Sequence, residues 1–592
     1  MNKIESRLKA LRTEMQKLNL DAWFISGTDP HSSENIPERW KTRAFISGFK
    51  GSCGFIVVTK EAAGLWTDTR YFIQAEEELL GTEFTMHKLR VSDTVLPEVW
   101  LTQNLKSGSR VGIDAQTISV VGYKNIQNTL FEKNIELIET SDLFEKLWSN
   151  RPQLLTDKIF DLELNFSGKS RIDKQSQIAD CLHKSNAVFH VISMLDELAW
   201  TFNLRGSDID YNPVFNGFGF IGENESYLFV DENKLTDELR KKLINDGVIL
   251  KGYTEFYPFL KSVKNSKIFI DSSSINYTIY SILKNNNEII EGTSIIANLK
   301  AIKNSTEITG FKSAMKKDGV AMVEFHAWLK TNIGKSDITE YDIGQKLKEF
   351  RSRQKDFKGE SFPPIVGYKQ HGAIVHLSVG KNDALPVEAD GVLLFDSGGQ
   401  YSDGTTDITR TVALGEITTQ QKIDYTLVLK GMIALTKAIF PVGTKGCNLD
   451  ILARIPLWEN GMNYGHGTGH GVGHFLNVHE GPFAIRQEYN EHGIKPGMVM
   501  SNEPAFYREG EYGIRTENMM VCVEKEKTEF GDFLGFETLT LCPIDTTLID
   551  LELMSLVEKN WLNNYHKRVN YELKPLLKKE LHSFLDESTK EI

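Results

Sequence analysis

The stretch Gly465-His466-Gly467-Thr468-Gly469-His470-Gly471-Val472-Gly473-His474, with His479 just beyond, holds four of the fourteen histidines of the chain. Imidazoles gathered in this way can bind a metal ion or move protons near neutral pH. Each interleaved glycine costs roughly 1 kcal/mol against alanine inside a helix, so the spacing predicts an extended segment rather than a helix face. There the glycines let neighbouring backbone come close to whatever the imidazoles surround. One buried histidine is ordinarily a satisfied polar group, so a metal reading needs carboxylates placed to meet the cluster.

Four are. Residues 391–396 read as a short buried strand ending in Asp396, 397–404 as a turn-rich link, and 405–412 as a second strand. Folding this stretch about its middle sets Asp396 nearly opposite Asp407. The same arithmetic on residues 498–503 and 514–521, about a turn near Gly510, sets Glu503 against Glu517. Any one of these acids reads most simply as a turn cap at the surface. Four together at the inner ends of buried strands would repel one another and be poorly solvated. No lysine or arginine cluster is offered to them. Two divalent cations, with an imidazole completing the shell, would supply the missing charge.

The elements that must position these groups follow from periodicity. Asn304 with Glu307 three residues on is a capping-box pattern, and Ile308, Phe311, Met315, Met322, Phe325 and Leu329 then form an apolar helical stripe. A second amphipathic helix is predicted over 418–439, with Ile423, Leu427, Leu435 and Ile439 on one side and Pro441 and Gly443 marking its end. The tail from 541 to 592 reads as helical and charged. Ahead of this half lie two smaller α/β units. The first opens with an amphipathic helix carrying Ile4, Leu8, Leu11, Met15 and Leu18, continues with strands at 22–26 and 54–59 and a helix over 70–80, and ends near Pro152. In the second unit, Phe202 to Ser207 followed by a Gly-Phe strand and a strand ending at Asp231 repeats the order of Phe45 to Phe49, Gly54-Phe55 and Asp68. That similarity suggests an internal duplication. The expected division is 1–152, 153–300 and 301–592, an α/β (α+β) chain throughout.

Length and composition agree with a multidomain globular protein: 592 residues, 40% hydrophobic and 25% charged. A net charge of -12 with no dense basic run argues against nucleic acid as a partner. The opening helix lacks the apolar core of a signal peptide, and no apolar run is long enough to span a bilayer, which predicts a cytoplasmic protein with no membrane partner. Five scattered cysteines without CxxC spacing fit a reducing compartment and no disulfide framework. Gly48 to Ser52 is too short for a phosphate-binding loop.

At these residues the chain resembles the aminopeptidase P family of metal-dependent "pita-bread" peptidases, in its long cytosolic form with two N-terminal creatinase-like domains. The resembling segments are 396–398 with 407–411, 465–473, 478–482, Glu503-Pro504 and 513–518, with 45–49, 66–72 and 203–206 earlier in the chain. The resemblance implies removal of the first residue from peptides whose second residue is proline. It implies five metal ligands, Asp396, Asp407, His470, Glu503 and Glu517, with Asp407 and Glu517 bridging two divalent ions. Manganese is the usual metal of such enzymes, with zinc or cobalt as alternatives. Glu503 would also relay the proton of the attacking water. His376, His466 and His479 match catalytic and substrate-holding histidines, Arg515 and Tyr507 match supports behind the ligands, and Arg70 matches a substrate contact from the N-terminal domain. A homodimer is implied by the same likeness. Ala505, His474 and His371 depart from the family pattern and bear on specificity; His474 is expected to pack or hydrogen-bond rather than bind metal.

The nearest rival is a prolidase restricted to Xaa-Pro dipeptides, which would share fold and ligands. Methionine aminopeptidases need no such long stretch before the catalytic domain. A non-catalytic pita-bread module that binds protein or peptide partners, or a metal-free creatinase-like hydrolase, fits poorly with five ligand-competent positions.

Overall fold

A computed structural model describes residues 3–335 and 337–592. They fall into two compact units. The first takes in the chain up to Leu162 together with Lys169–Ala297; the second takes in Glu163–Gly168 and Asn298–Ile592.

The first unit holds two six-stranded mixed sheets of identical topology. Strands β1 (Ala22–Ile25), β2 (Phe55–Thr59), β3 (Ala63–Thr67), β4 (Phe84–Lys88), β5 (Arg110–Asp114) and β6 (Glu136–Thr140) lie in the order β4-β3-β2-β1-β5-β6. Strands β7 (Phe189–Ile192), β8 (Gly217–Gly222), β9 (Ser226–Val230), β10 (Val248–Lys251), β11 (Lys267–Ile270) and β12 (Glu288–Glu291) repeat it as β10-β9-β8-β7-β11-β12. In both, the first three strands of the order after the edge pair antiparallel and the remaining neighbours pair parallel. The duplicated segments also meet reciprocally. Val120 N donates to Ile275 O at 3.2 Å and Tyr277 N to Ile118 O at 2.9 Å, while the rings of Tyr123 and Tyr277 stack at 3.6 Å. Weak sequence similarity thus becomes a local two-fold relation between the two halves of this unit.

Helix α1 (Lys3–Lys17) buries Leu8, Leu11 and Met15 as its periodicity predicts. Leu18 lies past its end and is exposed, because Asn19 takes a positive φ and turns the chain into β1. The helix expected over 70–80 spans Phe72–Glu78, which leaves Arg70 in the preceding turn.

In the second unit, α2 (Ser305–Asn332) carries the Asn304–Glu307 capping box and buries Phe311, Met315, Met322, Phe325 and Leu329. Helix α3 (Thr419–Thr436) packs along α4 (Gly446–Trp458), and α5 (Leu556–Leu573) is the longest element of the charged tail. Ile439, placed by periodicity on the α3 stripe, instead belongs to a short strand and is exposed, since the helix ends three residues earlier. Strands β13 (Ile365–Tyr368), β14 (Val392–Ser397) and β15 (Ile408–Ala413) form one sheet. A six-stranded sheet runs β16-β23-β22-β19-β17-β18, built from β16 (Ile439–Pro441), β17 (Gly469–Gly471), β18 (Glu480–Ile485), β19 (Val499–Asn502), β22 (Asn518–Thr528) and β23 (Gly531–Thr538). Between β19 and β22 the chain makes the separate hairpin of β20 (Ala505–Arg508) and β21 (Tyr512–Arg515). The return strand expected over 514–521 is therefore two strands in two sheets, broken at Thr516-Glu517. Among the described residues no helix is long and apolar enough to cross a membrane.

Candidate metal centre

The break in that hairpin positions two of the acids. Asn502 pairs with Asn518 in one sheet and Ala505 with Arg515 in the other, so the same register sets Glu503 opposite Glu517 where the chain passes between sheets. Freed from ladder pairing there, both side chains can turn inward. The other pair is offset: Asp396 is opposite Thr409 in the β14–β15 ladder, and Asp407 lies two residues beyond, just before β15. The link between them is not a simple turn, because Gly399–Tyr401 pairs with Phe357–Glu360 on one side and Gly404–Thr405 on the other, in a sheet of their own.

His470 occupies the middle of β17. A Cβ at Gly469 would sit 2.1 Å from Ser501 O, and one at Gly471 would sit 2.4 Å from Glu480 O. The glycines flanking His470 therefore let both neighbouring strands close on it, as the spacing predicts. The preceding segment is held extended by Arg454 of α4, which donates to Tyr464 O at 2.8 Å and His466 O at 2.7 Å while paired with Asp450.

These segments bring ligand atoms of Asp407, His470 and Glu517 within 4.8 Å of one another. His470 Nε2 lies 3.5 Å from Asp407 Oδ2 and 3.4 Å from Glu503 Oε1, and its Nδ1 is 2.9 Å from Gly471 O. Asp396 joins from the other side through Arg515, whose NH2 donates to Asp396 Oδ2 at 2.7 Å. Thr409, which sequence reasoning did not single out, bridges the halves: it accepts from Arg515 Nε at 3.1 Å and donates to Glu517 Oε2 at 2.8 Å. Its register position opposite Asp396 was the signal. Oδ1 of Asp396 and Oε1 of Glu517 are buried without a hydrogen-bond partner among the described residues. Two orphaned carboxylate oxygens in a set of four acids and one imidazole are the donor chemistry that hard or borderline divalent ions select.

The electrostatics tell the same story. Burial raises the Asp396 and Glu517 carboxyls, the latter far above the ordinary range, with neighbouring acids adding to the shift. Burial lifts Glu503 to about 7. Burial alone would lower His470, but Asp407 and Glu503 hold its imidazolium up to about 9. Four acids thus share one arginine and one histidine.

The remaining residues singled out in the sequence fall as follows. His466 is half-buried, with Nε2 2.8 Å from the Tyr507 hydroxyl; Tyr507 also accepts from Arg515 NH1 at 2.6 Å. That chain of contacts ties His466 to Asp396. The ring of His479 stands edge-on to His470 at 4.3 Å. His376 is half-buried in the stretch after the short helix Lys369–Ala373, whose Gly372 lies against Gly513 of β21. His371 Nδ1 lies 2.8 Å from a carboxylate oxygen of the fully buried Glu340. His474 is buried edge-on against Phe311 at 5.4 Å, the packing role expected of it. Ala505 is buried beside Arg515. In the first unit Arg70 grips Asp68 with both arms, Nε at 2.9 Å and NH2 at 2.8 Å.

Comparison with known proteins gives the following matches. A model of metallopeptidase family M24 matches residues 309–524, and a model of the C-terminal region of that peptidase matches 532–592. Creatinase/prolidase N-terminal domain models match 7–147 and 150–307. A probable Xaa-Pro aminopeptidase P of Coprinopsis cinerea is 40% identical over 97% of this chain and 96% of its own length. The crystal structure of an X-prolyl aminopeptidase from Caenorhabditis elegans, described as a cytosolic enzyme with a di-nuclear active site, superposes with a TM-score of 0.96 at 32% identity, covering 100% of both chains. An Xaa-Pro dipeptidase from Bacillus anthracis shares the fold at a TM-score of 0.52 and 22% identity, covering 64% of this chain and 99% of its own.

Proposed function

Because the chain belongs to metallopeptidase family M24, with creatinase/prolidase N-terminal domains ahead of the peptidase domain, we propose that it is a metallo-aminopeptidase hydrolysing the bond between the first residue of a peptide and a proline in second position. The observation that carries the reading is the charge deficit of the cleft: Asp407, His470 and Glu517 converge within 4.8 Å, and Asp396 and Glu517 each leave a buried oxygen unpartnered. An aminopeptidase is favoured over a dipeptidase because the Coprinopsis cinerea relative that is 40% identical over 97% of this chain is a probable Xaa-Pro aminopeptidase P.

Asp396, Asp407, His470, Glu503 and Glu517 would hold two divalent ions, manganese in this reading. Bound there, such ions supply a nucleophile from water at neutral pH and positive charge for the scissile carbonyl. The residues of the chain do the rest. Glu503, with a carboxyl near 7 before loading, accepts and passes on a proton at its carboxylate. His466, steered by Tyr507, and His479, set against His470, offer ring nitrogens to the substrate carbonyl and to the oxyanion that follows, and His376 is assigned the same part by family likeness. Arg515 favours the ionised form of Asp396 against the cost of burial and fixes its orientation. Arg70, its guanidinium fixed by Asp68, is kept as a candidate peptide contact by family likeness, from this chain or from a partner subunit.

The same reading keeps the division at 1–152, 153–300 and 301–592, a homodimeric assembly and a cytoplasmic location, which the five free cysteines support. The test compares cleavage of an Xaa-Pro-Pro tripeptide with that of an Xaa-Pro dipeptide, alongside elemental analysis of the purified chain. Tripeptide cleavage with two divalent ions per chain is expected. Cleavage of the dipeptide alone would replace this reading with a prolidase, and a chain that retains no metal under any loading condition would end it.

A further inference from the structure

β17, the strand that carries His470, is three residues long; it pairs with β18 at three positions and with β19 through Gly471 and Met500. His470 N also donates to Ser501 Oγ at 3.0 Å and Val472 N to Val499 O at 3.0 Å. Besides these bonds, its two flanking strands share one buried ion cluster.

Lys300 and Lys303 sit on a single carboxylate, Glu480. Lys300 Nζ is 2.7 Å from Oε2, Lys303 Nζ bonds Oε1, and the three side chains are 3%, 1% and 0% exposed. Lys303 Nζ also donates to Lys300 O at 3.1 Å and Ala301 O at 3.4 Å, which uses all three of its protons. Glu480 follows His479, opens β18 and pairs with Gly471 beside His470. The same lysine segment runs along the opposite flank. Ile302 bridges to Met498, and Lys303 N donates to Gly497 O at 2.9 Å, where the chain enters β19 on its way to Glu503. Residues 300–303 therefore grip β18 by their side chains and the entry to β19 by their backbone, with the histidine strand between.

Two cations buried on one anion are a costly way to gain stability. Burial holds the Lys303 ammonium below its ordinary pKa even with the Glu480 carboxylate against it. Well-packed apolar replacements of buried ion clusters are often neutral or stabilising, whereas removing one partner is strongly destabilising. What the cluster provides and an apolar one would not is a directed, fixed geometry.

We propose that Glu480, clamped by Lys300 and Lys303, is a positioning residue for the reaction, setting His479 and the His470 strand against Glu503. The inference rests on the peptidase reading above. Two variants test it: Glu480→Gln, and the apolar triple variant Lys300→Met/Lys303→Met/Glu480→Leu. With two metal ions per chain retained, both should lose roughly 10–100-fold in kcat on an Xaa-Pro-Pro substrate with little change in KM, the size typical of groups that orient a ligand. The triple variant should unfold at a urea concentration no lower than the wild type. In metal-free, histidine-labelled protein, the carbon-13 ring resonances of His470 and His479 should move in both. A triple variant with wild-type kcat and unmoved histidine resonances would overturn the proposal and leave the cluster as packing. If the wild-type chain cleaves no Xaa-Pro peptide, the peptidase reading fails, and the histidine resonances still decide whether Glu480 positions these rings.

Discussion

The two units treat buried charge differently. In the N-terminal unit Asp208 faces Lys234 and accepts from Asn216 N and Nδ2 at 2.7 and 3.0 Å, and Asp68 takes both arms of Arg70. Away from the cleft the C-terminal unit does the same, with Asp318 on Arg351 and Asp450 on Arg454. Inside the cleft the matching stops. Arg515 serves Asp396, while Asp407, Glu503 and Glu517 have His470 among them. Burial of charge is thus not what marks the site, since it occurs throughout the molecule. The mark is a cluster with a surplus of acids: Asp396, Asp407, Glu503 and Glu517 against one arginine and one histidine.

That contrast can be broken at several points. The largest effect is expected from Asp407→Asn, which removes an acid shared by both proposed ions: activity should fall by more than about 10³-fold, beyond the 10–100-fold usual for residues that merely support a ligand. Chelation should do the same to the wild type and manganese should reverse it, measured as tripeptide turnover. In the matched region, Lys234→Met leaves the buried Asp208 without its cation and should cost about 3–5 kcal/mol in urea unfolding, yet the folded fraction should keep its turnover per molecule. Arg515→Met strips Asp396 of its cation and should lower kcat roughly 10–100-fold, with one of the two ions bound more weakly by elemental analysis.

The smallest effect sharpens the comparison through pH. In the metal-free chain His470 titrates near 9 and Glu503 near 7, both raised, so both hold protons at pH 6 that a metal must displace. Affinity should therefore rise with pH, by at least about tenfold per unit up to 9 and more steeply below 7, when measured with metal buffers. A flat profile would mean that the acids and the histidine do not form one charge cluster.

Much of the site was legible because its signals are local. Glycines around His470, acids at strand ends and a constant hairpin register can all be counted along the chain. The register of Glu503 with Glu517 survives even though the hairpin changes sheets between them, because pairing arithmetic does not depend on which sheet supplies the bonds. Asp396 and Asp407 were less exact, since the link between them forms strands of another sheet. Ile439 and Leu18 went astray where periodicity continued past a helix end that local turns had already set. Thr409, the hydroxyl joining Arg515 to Glu517, carried no signal by residue type, and nothing near His371 in sequence announced its partner Glu340.

By itself, then, the amino-acid order determined which groups are available: four acids, a glycine-spaced imidazole and the strands that end on them. Only the tertiary structure decided that residues from 396–409, 466–480 and 503–517 share one dry cleft with a single arginine. Periodicity and turn chemistry act over a few residues, whereas a shortfall of charge exists only once distant segments have been brought into a low-dielectric space where it cannot be screened.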